Sequence, residues 1–438
     1  MTLTAEEIKS LRQGFYTDEY FNNIVRILNC LHEENYSFAG ESEIPGASEV
    51  LTGDLEVEMQ FFSRRKPWGL VVGLEDALAI LRQCTGYYEG EDFVNTFAQL
   101  EVQIAEEGSL VAYSGNPLDI KPVLKIRGRY KDFARLETPI LGVLSEGTKV
   151  ATNVFEILKA ADGKEILFFP ARFAHYLVQP IHGQAYRKAV EVFNKRYQQH
   201  HRVYVSTAAQ GSFWQGQGCG TTAHAYVAVF LGDTAEMMLQ FCRILPPEVP
   251  RVALVDFHND CVSETKKVAE ALFRQYWELL QTGNNEEAER YRLFAVRADT
   301  SGNMVDSSIE PLGLSKLDCG VNARLVANIR KALDEAFLAW KWLPEADMPL
   351  AKEWCQAVKI VVTGGFNQAK IAEFEKLGVP VDIYGVGSSL LHNCSSCGSN
   401  ADFTADIVRA KINGQWHVVS KAGRKPAVNT DLKDVQGE

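Results

Sequence analysis

From about residue 165 onward, short apolar runs alternate with longer stretches of helical periodicity. Chains that alternate in this way form parallel sheets, because a crossover helix must bring each new strand back alongside the last one. Six or more such units in about 225 residues favour an irregular parallel β/α barrel over a short open sheet. The candidate strands are ILFFPA (166–171), RVYVST (202–207), RVALVDF (251–257), RLFAVRAD (292–299), KIVVTGG (359–365) and VDIYGVG (381–387).

The chain on either side of this region has a different pattern. Residues 55–59 alternate apolar and polar side chains, as a half-buried strand does, and LEDALAILRQC (74–84) has helical periodicity. Beyond the last candidate strand the sequence returns to a strand pattern. We therefore expect an α/β protein with an N-terminal α+β module over residues 1–160, a barrel-like domain over 161–391, and a C-terminal segment, 392–438, that packs on the first module.

Charge and cysteine content exclude several classes of protein. The formal net charge of −11 argues against a nucleic-acid partner, so any phosphate must be bound by local groups. The nine scattered cysteines are typical of a reduced compartment, and the Cys394/Cys397 pair lacks the further ligands of a zinc motif. We read that pair as structural. Without a signal-peptide pattern or a long apolar run, we expect a cytoplasmic protein with no membrane partner.

Two consecutive candidate strands each end in a glycine-bearing turn. Gly364 and Gly365 follow the first strand, and Asn367 can cap the helix behind them. Gly387 and Ser388 follow the second strand. Parallel strands place both turns at one edge of the sheet, where exposed N–H groups and a helix N-terminus hold phosphate. The alternative is that these glycines merely shape tight turns.

Polar side chains follow two other candidate strands. Arg297 and Asp299 are two residues apart on a strand and therefore share a face, where they can bind a hydroxylated or charged ligand or form a structural ion pair. Asp256, His258 and Asp260 alternate after the strand at 251–257. Their spacing permits a metal site, although contact with a substrate fits a single cluster better.

Two further segments carry residues suited to binding or catalysis. In FFPARFAHY, Arg172 and His175 follow a strand, and a guanidinium there can pair with a carboxylate ligand or simply lie on the surface. In GCGTTAHAY, small residues surround His224. That histidine is a packed core residue, a metal ligand, or a group that reacts with an anionic ligand.

Several of these segments, in order along nearly the whole chain, together resemble the nicotinate phosphoribosyltransferase family. FYTDEY resembles its Thr-Asp-x-Tyr segment, LETPILGVLS its Glu-Thr-x-x-Leu segment, and GTTAHA its Gly-Thr-x-x-His motif. LVDFHND stands in the place of Asp-Thr-Tyr-Asp, and VRADTSG resembles Arg-x-Asp-Ser-Gly. TGGF and GVGS resemble its two phosphate-binding turns.

The resemblance implies a type II phosphoribosyltransferase-like barrel beside an N-terminal module. It implies that nicotinate reacts with phosphoribosyl pyrophosphate to give nicotinate mononucleotide and pyrophosphate, with Mg²⁺, and with ATP hydrolysed through phosphorylation of His224. It also implies a homodimer with shared sites, in which Tyr20 comes from the neighbouring subunit. With the residue patterns above, it assigns catalytic roles to His224, Arg297, Asp299 and Asp256, and substrate contacts to Asp18, Tyr20, Arg172, His175, Thr207, Gly364, Gly365, Gly387 and Ser388.

Two departures from the family pattern bear on the base that is bound. The segment at 256–260 reads DFHND, and the family's Phe-Gly-x-Arg segment is replaced by a stretch containing Thr207 and Gln210. We expect nicotinate, because Arg172 offers a partner for its carboxylate. The alternatives are a nicotinamide phosphoribosyltransferase and a non-catalytic barrel that binds phosphosugars or nucleotides. The order of the motifs fits a quinolinate phosphoribosyltransferase less well.

Overall fold

The computed structural model describes residues 3–435, and the chain divides into two compact units. One unit comprises the chain up to Thr152 together with the chain from His392 onward. The other unit spans Asn153–Leu391. No helix within residues 3–435 combines the length and the apolar character that a membrane span requires.

Strands and helices alternate most regularly between residues 165 and 386. The strands are β1 (Glu56–Ser63), β2 (Trp68–Leu70), β3 (Gly86–Glu89), β4 (Asp92–Asn95), β5 (Glu101–Ile104), β6 (Leu110–Ala112), β7 (Leu124–Arg129), β8 (Glu165–Phe168), β9 (Val252–Leu254), β10 (Ala295–Ala298), β11 (Lys359–Val362), β12 (Ile383–Val386), β13 (Phe403–Ile412), β14 (Gln415–Val418) and β15 (Lys433–Asp434). The helices are α1 (Ala5–Arg12), α2 (Glu19–Glu33), α3 (Leu74–Cys84), α4 (Tyr130–Phe133), α5 (Glu137–Ala160), α6 (Gln179–Tyr197), α7 (His224–Val229), α8 (Thr234–Ile244), α9 (Cys261–Gln281), α10 (Asn285–Glu289), α11 (Ser315–Asp318), α12 (Ala323–Glu335), α13 (Met348–Ala357) and α14 (Gln368–Lys376).

The first unit is built on a six-stranded sheet in the order β14-β13-β1-β7-β5-β15. Strand β1 lies inside this sheet, antiparallel to β13 on one side and to β7 on the other. The C-terminal strand β13 therefore completes the sheet that the N-terminal residues begin. Glu58 is fully buried in β1, where Arg127 and Arg409 bind its carboxylate and hold its pKa low against the opposing effect of burial.

The second unit contains a parallel sheet of five strands in the order β8-β12-β11-β10-β9. Five of the six candidate strands form this sheet, but RVYVST does not. Within the described residues that segment makes only one isolated parallel bridge, between Val205 and Phe168. The reason is local: the buried side chain of Gln210 accepts hydrogen bonds from the amides of Ser206 and Thr207, so these amides cannot continue a ladder.

An irregular segment joins the two edges of this parallel sheet by hydrogen bonds. The amide of Cys219 donates to the carbonyl of Val205, beside β8. Three residues later, the hydroxyl of Thr222 donates to the carbonyl of Val252 and accepts from the amide of Leu254, both in β9. The parallel sheet of the expected fold is thus present, with a loop in the place of further regular strands.

The carboxyl ends of the five parallel strands lie at one edge of the sheet, and the two glycine turns lie there too. Gly364 and Gly365 have φ of +86° and +73°, a region that glycine enters without the steric cost of a Cβ. Asn367 caps α14 by accepting from the amide of Lys370, as expected. The second turn leads only into a 3₁₀ turn, Ser388–Leu391, because the Ser389 hydroxyl bonds to the carbonyl of Phe366 and ties this turn to the first.

Candidate active site

A cavity of about 160 Å³ opens at the carboxyl edge of the parallel sheet. It brings together seven of the residues singled out in the sequence, from four separate strand ends. The lining also includes aromatic residues and a threonine that the sequence motifs did not indicate. The cavity is lined by Phe169, Arg172, Phe173, Arg297, Asp299, Thr363, Gly364, Gly365, Phe366, Gly385, Gly387 and Ser388.

Arg297 supplies a nearly buried cation to this cavity. Its Nη1 donates to the hydroxyl of Thr221 at 2.6 Å, and its Nη2 lies 3.8 Å from a carboxylate oxygen of Asp299. Its Nε is buried and has no hydrogen-bond partner among the described residues. Burial lowers the pKa of Arg297, but a guanidinium keeps its charge. Arg297 thus places a guanidinium in the cavity lining, with the carboxylate of Asp299 beside it.

Asp299 is held in place by a residue of the neighbouring strand end. The hydroxyl of Thr363 donates to Oδ1 of Asp299 at 2.6 Å and also to the carbonyl of Ala298. Oδ2 remains on the side of Arg297. Thr363 has one signal in the sequence, its position immediately before the Gly364 turn at the end of β11. Thr221, which holds Arg297, precedes His224 in the same short motif.

His224 and Asp256 form a hydrogen-bonded pair. Nε2 of His224 lies 3.1 Å from both carboxylate oxygens of Asp256. The imidazole is about half exposed, at 48%, which excludes a packed core histidine, whereas the Asp256 carboxylate is 7% exposed. Burial raises the pKa of Asp256, and the neighbouring His224 opposes that effect. A carboxylate that accepts from Nε2–H fixes the tautomer, so the lone pair resides on Nδ1.

The three polar residues of DFHND have separate environments. Asp256 pairs with His224, and Asp260 accepts from the amide of Ser263 as the cap of α9. His258 is half exposed, and its nearest carboxylate, that of Glu264, is 4.0 Å away. These three residues do not converge on one metal position, so substrate contact remains the better interpretation of Asp256.

Two phenylalanines flank Arg172 at the mouth of the cavity. The ring of Phe173 is about half exposed, and a Cβ on Gly387 would lie 2.7 Å from its Cε2 atom. Phe169 also lines the cavity, and its carbonyl lies close to Gly387. Arg172 is exposed, and its charge contributes to the low pKa of Arg297. The sequence segment FFPARF contains both phenylalanines. Phenylalanines in such a segment are equally typical of core packing, so the pattern alone does not indicate a binding site.

His175 and Thr207 are not among the residues that line the cavity. His175 accepts from the amide of Leu177 and stacks on Tyr176, with ring centroids 4.5 Å apart. The hydroxyl of Thr207 donates to Gln179 and accepts from the amide of Gln210. Both residues are engaged in local turns, so their expected substrate contacts stay predictions.

Asp18 and Tyr20 belong to the first unit and contact each other. The Tyr20 hydroxyl donates to Oδ2 of Asp18 at 3.0 Å, and the Thr138 hydroxyl donates to the same oxygen at 3.1 Å. The Tyr20 side chain is 61% exposed. Beside them, burial raises the pKa of Glu137 to about 8, with smaller contributions from Asp406 and Asp18.

The Cys394/Cys397 pair has a neighbour that its spacing in the sequence did not suggest. His392 places a ring nitrogen within 4.8 Å of both sulfur atoms. A third potential ligand is therefore at hand that the spacing did not indicate, and the structural interpretation of the pair stays a prediction. The third group was missed because a histidine two residues before a CxxC is not part of the common zinc spacings.

Comparisons with known proteins agree with the resemblance. A family model for the N-terminal domain of quinolinate phosphoribosyl transferase matches residues 47–147. The nicotinate phosphoribosyltransferase PncB1 of Mycobacterium tuberculosis is 24% identical over 272 residues, which are 62% of this chain and 46% of the relative. The chain thus spans less than half the length of the curated relatives it matches.

Two solved structures share the fold. A nicotinate-nucleotide pyrophosphorylase from Pyrococcus furiosus superposes with a TM-score of 0.63 at 23% identity, over 99% of this chain and 85% of the other. Human nicotinic acid phosphoribosyltransferase superposes with a TM-score of 0.55 at 17% identity, over 92% and 75%. The family model and the sequence relative are thus both phosphoribosyltransferases of pyridine carboxylates, and the two solved structures show that the fold is shared.

Proposed function

We propose that the protein joins nicotinate to phosphoribosyl pyrophosphate, giving nicotinate mononucleotide and pyrophosphate for NAD synthesis. One observation carries this proposal above the others. A single cavity contains a buried arginine, a fixed carboxylate and two glycine turns, at the sheet edge where phosphosugar ligands bind in parallel α/β folds. A barrel that only binds a phosphosugar needs the turns, but it has no use for a paired Arg297 and Asp299.

The phosphoribosyl donor fits the two ends of this cavity. Its 5′-phosphate is held by backbone N–H groups at Gly364–Gly365 and Gly387–Ser388, with help from the N-terminus of α14. The pyrophosphate lies toward Arg297, whose guanidinium lines the cavity. As the glycosidic carbon gains positive charge, this cation stabilises the negative charge that develops on the departing pyrophosphate.

The residues of the cavity also fit Mg²⁺. This ion is commonly held by one or two carboxylates together with substrate phosphates, and the Asp299 carboxylate is partly exposed and fixed by Thr363. Asp256 is near enough to Asp299 for the two charges to interact. Both would hold the ion, which when bound neutralises charge on the pyrophosphate.

The mouth of the cavity suits a planar aromatic acid. The rings of Phe169 and Phe173 offer faces for stacking, and stacked aromatic pairs contribute about 0.5–1.5 kcal/mol beyond burial. Arg172 beside them carries a guanidinium that pairs with a carboxylate in two parallel hydrogen bonds. A carboxylate on the base accepts both bonds and carries the opposite charge, whereas the amide of nicotinamide offers one neutral acceptor oxygen, so nicotinate is favoured.

ATP is coupled to the reaction through His224. Nδ1 attacks the γ-phosphorus, the bond from that phosphorus to the β–γ bridging oxygen breaks, and ADP leaves with that oxygen. Because Nε2–H stays bonded to Asp256, the attacking nitrogen already holds a lone pair, and the positive charge of the phosphorylated ring lies beside a carboxylate. Transfer of the phosphoryl group to water restores the histidine.

The working form is a homodimer with shared sites. In the first unit, Phe15, Tyr16 and Tyr20 lie close together along the chain, and their side chains are 76%, 50% and 61% exposed. Large exposed aromatic patches are typical of protein interfaces. We infer that Tyr20 of the partner subunit stacks on the base bound near Phe173, with Asp18 fixing the tyrosine hydroxyl.

A second candidate rests on the family model that matches residues 47–147, which describes quinolinate phosphoribosyl transferase. Quinolinate carries two carboxylates and therefore needs a further cation beside the base. Arg172 and Arg297 are the two arginines that line the cavity, and Arg297 is already engaged with Thr221 and Asp299. The lining is better matched to a base with one carboxylate.

The test offers nicotinate, nicotinamide and quinolinate separately to the purified chain with phosphoribosyl pyrophosphate and Mg²⁺, with and without ATP. Chromatography with mass detection identifies each mononucleotide, and carbon dioxide release reports on quinolinate. We expect product from nicotinate alone, stimulated by ATP, and none from an Arg297→Ala variant. Product from another base moves the function to that base, and no product from any base supports a non-catalytic barrel.

A further inference from the structure

A group of potential metal ligands lies in the first unit, where the C-terminal segment begins. His392, Cys394 and Cys397 place one imidazole nitrogen and two sulfur atoms within 4.8 Å of one another. Neither thiol is in a disulfide. No other group of three such side chains with this geometry is present in residues 3–435. Histidine and cysteine together are the ligand set of zinc rather than of Mg²⁺.

The spacing of the three atoms matches one ion between them. Zinc bonds sulfur at about 2.3 Å and imidazole nitrogen at about 2.0–2.1 Å, so two ligands of a tetrahedron are about 3.5–3.8 Å apart. Sγ of Cys397 is 3.8 Å from Nε2 of His392. The other pairs of ligand atoms are at most 4.8 Å apart. Each pair would have to approach by no more than about one ångström to reach the edge length of a tetrahedral zinc site.

Several donors point at the two sulfur atoms, which suits thiolates. The amide of Cys397 lies 3.4 Å from Sγ of Cys394 and donates to it. The hydroxyl of Ser396 is 3.1 Å from that sulfur, and the hydroxyl of Ser399 is 2.9 Å from Sγ of Cys397. Donors of this kind hold thiolate ligands in orientation around a metal.

The backbone around the three ligands is anchored independently of any ion. The amide of Lys66 donates to the carbonyl of Gly398, and the amide of Arg64 donates to the carbonyl of Asp402. The guanidinium of Arg65 donates to the carbonyl of Ser399. Gly398, at φ +77°, makes the turn that follows Cys397. The three ligands therefore lie on a turn that hydrogen bonds already attach to the residues directly after β1.

We propose that His392, Cys394 and Cys397 bind one Zn²⁺ ion, with a fourth position open to solvent or to a small ligand. Three protein ligands leave the tetrahedron incomplete, and the histidine and Cys397 are both exposed. The site is separate from the Mg²⁺ and phosphoribosyl chemistry of the second unit. It does not depend on the proposed activity.

The experiment uses the full chain, stripped with a chelator and kept reduced. Zinc is titrated against a chromophoric competitor, and Co²⁺ is used as a spectroscopic probe. We expect about one metal per chain and sulfur-to-cobalt charge-transfer absorption in the near ultraviolet. Cys394→Ser and Cys397→Ser should lose that absorption. Ser399→Ala removes a supporting hydrogen bond and should weaken zinc binding by about tenfold. His392→Ala keeps both thiols but removes a ligand, so it should weaken zinc binding by more than that.

Cys30→Ser is the matched control, because Cys30 is an exposed free cysteine in the same unit. It should leave the stoichiometry and the cobalt spectrum unchanged. Melting curves with and without zinc show whether each variant folds, and wild type and Cys30→Ser should gain more stability from the metal than the ligand variants do. Zinc binding that survives all three ligand variants would overturn the proposal. So would a reduced chain that binds no zinc and only forms a Cys394–Cys397 disulfide on oxidation.

Discussion

His224 is exposed to solvent on one side and contacts the buried carboxylate of Asp256 on the other. These two environments determine which ring nitrogen carries the lone pair. The hydrogen bond from Nε2 to Asp256 leaves Nδ1 as the nitrogen with a lone pair. A histidine that merely packs would be buried, and a metal ligand would have further ligands near it. Neither applies to His224 within the described residues.

We expect His224→Asn to lose ATP hydrolysis by about three orders of magnitude or more, because an amide keeps a hydrogen bond but cannot accept a phosphoryl group. Slow synthesis without ATP should remain, since Arg297 and the glycine turns still stabilise the transition state. The measurement is labelling with γ-³²P ATP: wild type should carry acid-labile, base-stable label that the variant lacks.

His258→Asn is the matched control for this change. His258 is exposed to a similar degree and lies close by along the same sheet edge, yet it makes no pair with Asp256. It should keep both the label and the ATP hydrolysis. Equal labelling of wild type and His224→Asn, or a parallel loss of all activities with a lowered melting temperature, contradicts the role of His224 as nucleophile.

Glu137 makes the stability of the first unit depend on pH. Its pKa is raised by burial to about 8 from the ordinary value of 4.5. Between these values the folded chain keeps a proton that the unfolded chain has released, so this contribution to stability falls as pH rises from 4.5 to 8. Glu137→Gln should match wild type near pH 5 and exceed its stability at pH 9 by on the order of a few kcal/mol.

Urea denaturation of both proteins at pH 5 and pH 9 measures this difference. Glu33→Gln, a change at an exposed glutamate of α2, serves as control and should shift stability little at either pH. If the difference between wild type and Glu137→Gln is the same at both pH values, the carboxyl of Glu137 does not titrate in this range.

At the scale of elements, the turns after β11 and β12 form one continuous edge, where we propose that phosphate binds. Both follow adjacent parallel strands, and the bond from Ser389 to the Phe366 carbonyl ties them together. Arg297 on β10, and Asp299 just after it, lie one strand farther along the sheet. In the proposed mechanism, neighbouring strand ends would therefore hold the phosphate and the reacting centre side by side.

Gly387→Asp should weaken binding of phosphoribosyl pyrophosphate by about tenfold or more, which corresponds to about 1.4 kcal/mol. The added carboxylate repels the 5′-phosphate and obstructs the N–H groups of the turn. Gly387→Ala is the matched control, because it adds the same Cβ, 2.7 Å from Cε2 of the exposed Phe173 ring, but no charge. Calorimetry with Mg²⁺ present should give a much smaller loss for alanine. Equal affinities for aspartate and wild type would remove this turn from the site.

At the scale of the whole molecule, the proposed dimer with shared sites predicts the behaviour of mixed subunits. At low nicotinate concentration, Tyr20→Ala should lose about tenfold in activity through weaker base binding, and Arg297→Ala should be nearly inactive in transfer. Co-expression of the two with different tags should restore about a quarter of the wild-type sites, because half of the dimers are mixed and each has one intact site. The measurement is the activity of this mixture, and of the mixed dimer purified through both tags, in which about half of the sites are intact. Mixed dimers no more active than the two parents would place Tyr20 in its own subunit's site or outside any site.

Local sequence patterns predicted many of the strands, helices and turns of this protein. Strand and helix periodicity predicted β1, α3 and all five strands of the parallel sheet, because these patterns depend on side chains only a few residues apart. Glycine turns were visible for the same reason. Closure of the sheet into a barrel stays a prediction. The segment RVYVST has the composition of a strand, but it makes one isolated bridge because the buried Gln210 accepts hydrogen bonds from its backbone.

Only the tertiary structure decided which side chains meet. His224 and Asp256 are 32 residues apart, Asp299 and Thr363 are 64 apart, and Arg297 and Thr221 are 76 apart. Such contacts depend on the order of strands in the sheet, on which local propensity has no influence. His392 is close to its cysteines along the chain, but its ring reaches them only because backbone contacts fix the turn. The sequence by itself determined the elements and the kinds of residue at their ends, and the folded sheet decided their pairing.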